Sequence, residues 1–233
     1  MTSDSLPRRR VTLTLAGLVA LASMIVVLAA VGTRESHAAD DHAHRAMTAA
    51  ALTPKAVRFH DAMRALWEIH GTYTERAIVD AVGGNPETNA VVARLLQNQV
   101  DIGNAVKPYY GKAGGNALTK LLKTHIHTAV ATVLAAKSGN AAATKKAMAA
   151  FFANGNQVAD FLHKANPKFW SLTAMRSMMR VHLNQVVSLA VDQIKGKYGA
   201  AINLYDAYIH HILVGMADML SNGIIEQFPA RFR

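Results

Sequence analysis

Three histidines, His70, His125 and His182, recur along this chain at nearly equal intervals. Each closes a similar segment: Leu66-Trp67-Glu68-Ile69-His70, Leu121-Leu122-Lys123-Thr124-His125 and Met178-Met179-Arg180-Val181-His182. A fourth, His211, follows His182 by the same spacing that separates Asn154 from His125. A neutral imidazole presents one lone pair, so these four rings, brought together in an apolar surround, would hold Zn, Cu or haem iron. A second set echoes the first. Asn98 and Asn104 match Asn154 and Asp160, and these match His211 and Asp218. Asp101, three residues after Asn98, falls on nearly the same helical face. Asn98, Asp101, Asn104, Asn154, Asp160 and Asp218 are therefore the expected supporting layer. The competing expectation is a structural layer, in which each His satisfies an Asn, an Asp or a carbonyl across its own helix pair and fixes register.

Other chemistries leave no matching pattern. The inward Glu-x-x-His pairs of di-iron bundles are missing, as are HExxH, GxSxG, a P-loop and GxGxxG in a strand–helix context. His125 and His127 resemble a ligand pair, but residues two apart on a helix diverge, so one of them faces water. Met175, Met178, Met179, Met216 and Met219 offer thioethers, which suit Cu(I), or flexible core filling. Asp41-His42-Ala43-His44 offers a chelating tetrad or a plain linker.

The elements that must position these residues are helices. From Thr53 onward the apolar period is helical and strand signals are missing. Thr53-Pro54 caps a first helix to about Ala81, ended by Gly83-Gly84. Asn85-Pro86-Glu87 opens a second, reaching about Val106 before Pro108 and Gly111. The third runs from about Asn116 to Lys137, the fourth from Asn140 to Asn166-Pro167, the fifth from Ser171 to Gly196, and the sixth from Tyr198 to Gln227. The expected fold is all-α, a six-helix bundle made of three repeated α-hairpins. Residues equidistant from a hairpin turn stand at one height, so His70 is level with Asn98, His125 with Asn154 and His182 with His211. Only closure of the hairpins around an axis would bring the rings together; an open stack would hold them a helix diameter apart. Tyr109-Tyr110, Phe169-Trp170 and Phe228, beside Pro108, Pro167 and Pro229, are expected to plug the bundle ends.

Composition sets the compartment. The 233 residues carry 25 Lys+Arg, 15 Asp+Glu and no Cys, with 51% hydrophobic and 17% charged residues. Such a chain buries a substantial core and is neither disordered nor fibrous. The absence of Cys removes disulfides, thiol nucleophiles and covalent haem attachment. Arg8-Arg9-Arg10 precede an uncharged run from Val11 to Gly32, long enough to span a bilayer, and Ser36 and Ala38 fit a small-x-small cleavage site before Ala39. Residues 1–38 are thus a signal peptide or, uncleaved, a membrane anchor through 11–32; 39–52 are a linker and 53–233 the helical domain. Both variants put the domain outside the cytosol, because the arginine cluster stays inside. Residues 1–38 hold four Lys/Arg and two Asp/Glu, so removing them leaves 21 Lys+Arg against 13 Asp+Glu. That surplus points to anionic envelope polymer or lipid as partner, and not to nucleic acid.

The stretch Leu95-Leu96-Gln97-Asn98-Gln99-Val100-Asp101-Ile102-Gly103-Asn104-Ala105-Val106-Lys107-Pro108-Tyr109-Tyr110-Gly111 resembles an uncharacterised bacterial family of small all-helical proteins. Met216-Ala217-Asp218-Met219-Leu220-Ser221-Asn222-Gly223-Ile224-Ile225, with Gln227-Phe228-Pro229, is similar to that family's C-terminal signature. The resemblance covers about residues 58–232 and implies a helical repeat carrying the His70, His125 and His182 segments. Some members bear the label glycosyltransferase or acetylglutamate kinase, so the resemblance also implies a transferase; an α/β nucleotide fold and a DxD motif, which sugar-nucleotide transfer calls for, are not seen in this sequence. The expected function is an extracytoplasmic helical protein that binds a metal or small ligand at a central His/Asn layer. The alternatives are an envelope-associated protein acting through its basic surface, and a transferase-like enzyme.

Overall fold

Thr53 starts the first helix by a local bond: its hydroxyl accepts from the Ala56 amide at 3.2 Å, and Pro54 supplies the first helical residue without an amide to satisfy. The structure, a computed structural model, describes residues 53–233. The signal or anchor segment, the linker and the Asp41–His44 tetrad lie outside the described residues. Helix α1 (Pro54–Gly83) ends at Gly84, whose φ of 73° suits a residue without a Cβ. Helix α2 (Thr88–Lys137) follows, then α3 (Ala141–Ala165) and α4 (Leu172–Ile194). Asn140 and Ser171 cap α3 and α4 by accepting from Ala143 and Ala174. Helix α5 (Tyr198–Ala207) runs through a π turn (Tyr208–Leu213) into α6 (Val214–Gln227), and a 3₁₀ turn (Pro229–Arg231) closes the chain. The described residues form no strand. None of their helices is long and apolar enough to cross a membrane.

The break expected between Val106 and Asn116 shrinks to one residue. Helical structure continues through Pro108 and resumes at once after Gly111, which alone departs from helical geometry with φ 73° and ψ 172°. The two arms of α2 then touch through glycines. A Cβ on Gly103 would stand 2.7 Å from the Gly115 carbonyl oxygen, and one on Gly115 only 2.5 Å from that of Gly103. Backbone thus packs on backbone, and the arms approach more closely than side chains would permit.

Sequence neighbours pack together, α1 on α2, α2 on α3, α3 on α4 and α4 on α5. Helix α6 returns to α1, which closes the helices around one interior. The core fills this interior, with Met63, Trp67, Ile102, Trp170 and Ile224 grouped around one cavity and Phe151 and Leu183 in the same continuous cluster. One end is sealed by aromatics, with Tyr109 stacked on Phe232 at 5.3 Å and Phe59 against both. The Thr53 hydroxyl also donates to the Phe232 carbonyl, tying the start of α1 to the chain's last turn. Nearby, Asn166 donates to the Gly223 carbonyl at 2.8 Å, and Gly223 lies so near the Trp170 indole that a Cβ there would overlap it.

Candidate functional site

His70 on α1, His125 on α2 and His182 on α4 all point inward, each at most 3% exposed. Their rings form a septum across the interior. His182 lies 5.4 Å from His125 and 5.8 Å from His70, measured between ring centroids. Apolar cavities flank the septum on both sides. One is lined by Ile78, Leu95, Ile126 and Phe151, the other by Trp67, Ile102, Leu122 and Trp170, and all three imidazoles border both.

The hydrogen bonds of the septum form a directed chain. Asn154 donates its amide to the Leu121 carbonyl at 3.2 Å, so its Oδ1 accepts from His125 Nδ1 at 3.0 Å. A neutral His125 then carries its lone pair on Nε2. That atom faces His182 Nε2 at 3.2 Å, so His182 donates from Nε2 and accepts at Nδ1 from the Tyr208 hydroxyl, 3.1 Å away. The proton order from Tyr208 to Asn154 follows from one amide's commitment to one carbonyl. His70 stands beside this chain. Gln99 donates to its Nδ1 at 3.2 Å and to the Leu95 carbonyl at 2.8 Å, while the Gln99 Oε1 is buried without a partner.

Burial sets the charge of the septum. Loss of water pushes His70 down to about 3, with the neighbouring His125 adding to the shift and the nearby Asn98 amide opposing it. His125 falls to about 4 for the same first reason, against the opposing bond to Asn154. His182 lies well below the usual imidazole range because of burial and then its two imidazole neighbours. The layer is neutral at pH 7.

Two of the expected supporting residues join the layer. Asn98 and Asn154 are buried, and Asn98 donates to the Leu66 carbonyl as Asn154 does to Leu121, in each case the residue four before the histidine. The others are corrections. His211 is exposed and does not reach the septum. In α geometry residues three apart already differ by about 60° around the axis. The wider π turn rotates His211 further from the interior, and Tyr208 takes the inner position. Asn104 and Asp160 are exposed, and Asp160 pairs with Arg176 at 2.9 Å. Each stands six residues beyond an inward Asn, about 9 Å further along and about 120° around the helix. Asp101 sits at the surface with Gln97 and Arg94. Asp218 binds Arg64 with both oxygens, at 2.7 and 2.8 Å, six residues before His70 and so at another height.

Gln99 and Tyr208 were missed. Gln99 adjoins Asn98 in sequence, a signal that was available; Tyr208, three positions short of His211, falls outside the repeat spacing and gave none. A further buried pair joins His60 Nδ1 to the Ser221 hydroxyl at 2.7 Å. No protein-family model, curated protein or solved structure matches this chain. Geometry alone therefore carries the reading of the site.

Among the described residues no three His or acidic side chains converge as a metal group, so the expected four-His centre does not form. The pair His125–His182 does meet. The two flanking cavities have volumes of about 20 and 30 Å³, enough for one or two waters each. Haem does not fit such spaces, nor does a sugar nucleotide. A metal ion does.

Proposed function

We propose that the helical domain is an exported binding protein whose site is the facing imidazole pair of His125 and His182, and that this pair takes one late first-row transition-metal ion. The observation that carries the proposal is the 3.2 Å between the two Nε2 atoms. Two imidazole nitrogens on a tetrahedral ion, each about 2.0–2.1 Å from it, stand about 3.3 Å apart. Both rings also have oxygen partners at Nδ1, Asn154 Oδ1 and the Tyr208 hydroxyl, the outer-shell arrangement that orients metal-binding histidines. Uptake needs one internal move: the His182 proton passes from Nε2 to Nδ1, which then donates to the Tyr208 oxygen. Export rests on residues 1–38 as read from sequence. The three hairpins are read as copies of one unit, supported by the repeated bonds Asn98 to Leu66 and Asn154 to Leu121.

Protein purified without a His tag and titrated with Zn(II), Co(II), Cu(II) and Cu(I) is expected to bind at least one of them at one ion per chain. His125→Asn, checked for helix content by circular dichroism, should weaken that binding about 100-fold. Sub-stoichiometric binding of every ion, or binding untouched in a folded variant, rejects the proposal.

A second reading draws on the end of the molecule that carries the turns at Gly84, Gly139 and Gly196. Leu134, Tyr198 and Ile202 are 49%, 62% and 59% exposed there, and Lys195 and Lys197 flank the last turn. Apolar side chains framed by lysines suit an anionic lipid surface. Cosedimentation with phosphatidylglycerol vesicles should fall at least about tenfold in Tyr198→Ser/Ile202→Ser and weaken with salt. Binding that ignores both changes excludes this surface.

A further inference from the structure

Which ion the His125–His182 pair selects is set by the walls around it. The chain has no cysteine, and no carboxylate lines either flanking cavity. Every available ligand is neutral, so a bound ion keeps its whole charge inside an apolar interior. The cost of moving an ion out of water rises as the square of its charge, about four times as steep for a divalent as for a monovalent ion of equal size. A site of this composition, with no thiolate or carboxylate to offset a second charge, therefore disfavours Zn(II) and Cu(II) relative to a monovalent ion.

The larger cavity adds the complementary preference. Met63, Met178, Met179 and Met216 line it together with the three imidazoles, and each is at most 5% exposed. Met178 and Met179 stand four and three residues before His182 on α4, one helical turn away on the same side. Thioether sulfur is a soft donor that suits Cu(I), whereas Cu(II) favours tetragonal nitrogen and oxygen sets.

We propose that the ion is Cu(I), held by Nε2 of His125 and of His182 and by one thioether of this cavity, Met178 foremost. This assignment rests on the imidazole pair being a metal site and adds the identity, charge and third ligand of the ion. Ag(I), monovalent, soft and inert to redox change, should occupy the same place.

The test uses the full-length chain under anaerobic conditions. Cu(I), supplied as its acetonitrile complex, competes with bathocuproine disulfonate, and Zn(II) and Ag(I) are titrated in parallel. One Cu(I) per chain is expected, at least about 100-fold tighter than Zn(II). X-ray absorption should show a sulfur scatterer beside two nitrogens, and Ag(I) should bind with the same stoichiometry. Met178→Leu, close in volume and so tolerated by the core, should weaken Cu(I) at least about tenfold. Met178→Leu/Met179→Leu/Met216→Leu, with unchanged circular dichroism, should lose the sulfur shell. Zn(II) bound as tightly as Cu(I), or a nitrogen-only shell that ignores the Met variants, overturns the Cu(I) assignment and leaves the imidazole pair as a metal site. Failure to take up any of Cu(I), Ag(I), Zn(II) or Co(II) overturns both.

Discussion

Acidification from pH 7 should unfold this protein with a midpoint at about pH 3.5–4.5, driven from pH 6.5 downward by its buried histidines. His70 and His125 have folded values of about 3 and about 4, and His182 lies well below the usual range. In the unfolded chain each imidazole takes up a proton at about pH 6.5. Between that pH and the folded values the unfolded state binds more protons, so stability rises with pH and is lost as pH falls. Each histidine contributes a slope of about 1.4 kcal/mol per pH unit, and the three together up to about 4. A domain stabilised by about 10 kcal/mol, the middle of the usual range, loses that margin within roughly two to three units below pH 6.5. Two aspartates act later. For Asp80, burial raises the carboxyl, but hydrogen bonds from Asn85 and Arg76 outweigh it; for Asp218, bonds from His60 and Arg64 do the same. Both end below the usual value, so their contribution, present above about pH 3.8, disappears only below it. Urea unfolding followed from pH 7 to 4 would show the slope. A flat profile between pH 6 and 4.5 would mean that the septum is hydrated in solution.

The second large effect is expected at the His125–Asn154 bond. His125→Leu fills similar space but strands Asn154 Oδ1 and the His182 Nε2–H, both inside an apolar core. Each orphaned group costs about 1–3 kcal/mol, so the variant should lose about 3–5 kcal/mol. Asn154→Leu strands the His125 Nδ1–H and should cost about 2–3 kcal/mol. The double variant His125→Leu/Asn154→Leu removes both partners at once. It should be less damaging than the sum of the singles by about 1–3 kcal/mol. Equilibrium urea denaturation of the four proteins yields this coupling directly. Strict additivity would show that the two side chains do not share a bond.

Much of the site was legible because helices convert spacing into position. The near-equal intervals between the three histidines, with glycine turns midway between His70 and Asn98 and between His125 and Asn154, sufficed to set these residues and His182 at related heights. Spacing misleads where the regular helical period does not continue. Asn104 and Asp160 could have been excluded by helical arithmetic, since six residues carry a side chain to another face. His211 could not, because the π turn at Tyr208–Leu213 alters the period without a residue that announces it. The extent of the break at Gly111 is likewise not legible, since proline past the first turn ordinarily kinks or ends a helix, whereas here helical structure continues through Pro108 and departs from helical geometry only at Gly111.

Sequence alone settled the all-helical class, the capping residues Thr53, Asn140 and Ser171, and the inward faces that carry three histidines. These are local matters, governed by backbone bonds and a regular helical period that each segment expresses for itself. Closure of α6 onto α1, the meeting of two Nε2 atoms at 3.2 Å and the choice of Tyr208 over His211 belong to the tertiary structure. They join residues far apart in the chain through packing angles and cavity shape, which no single helix encodes.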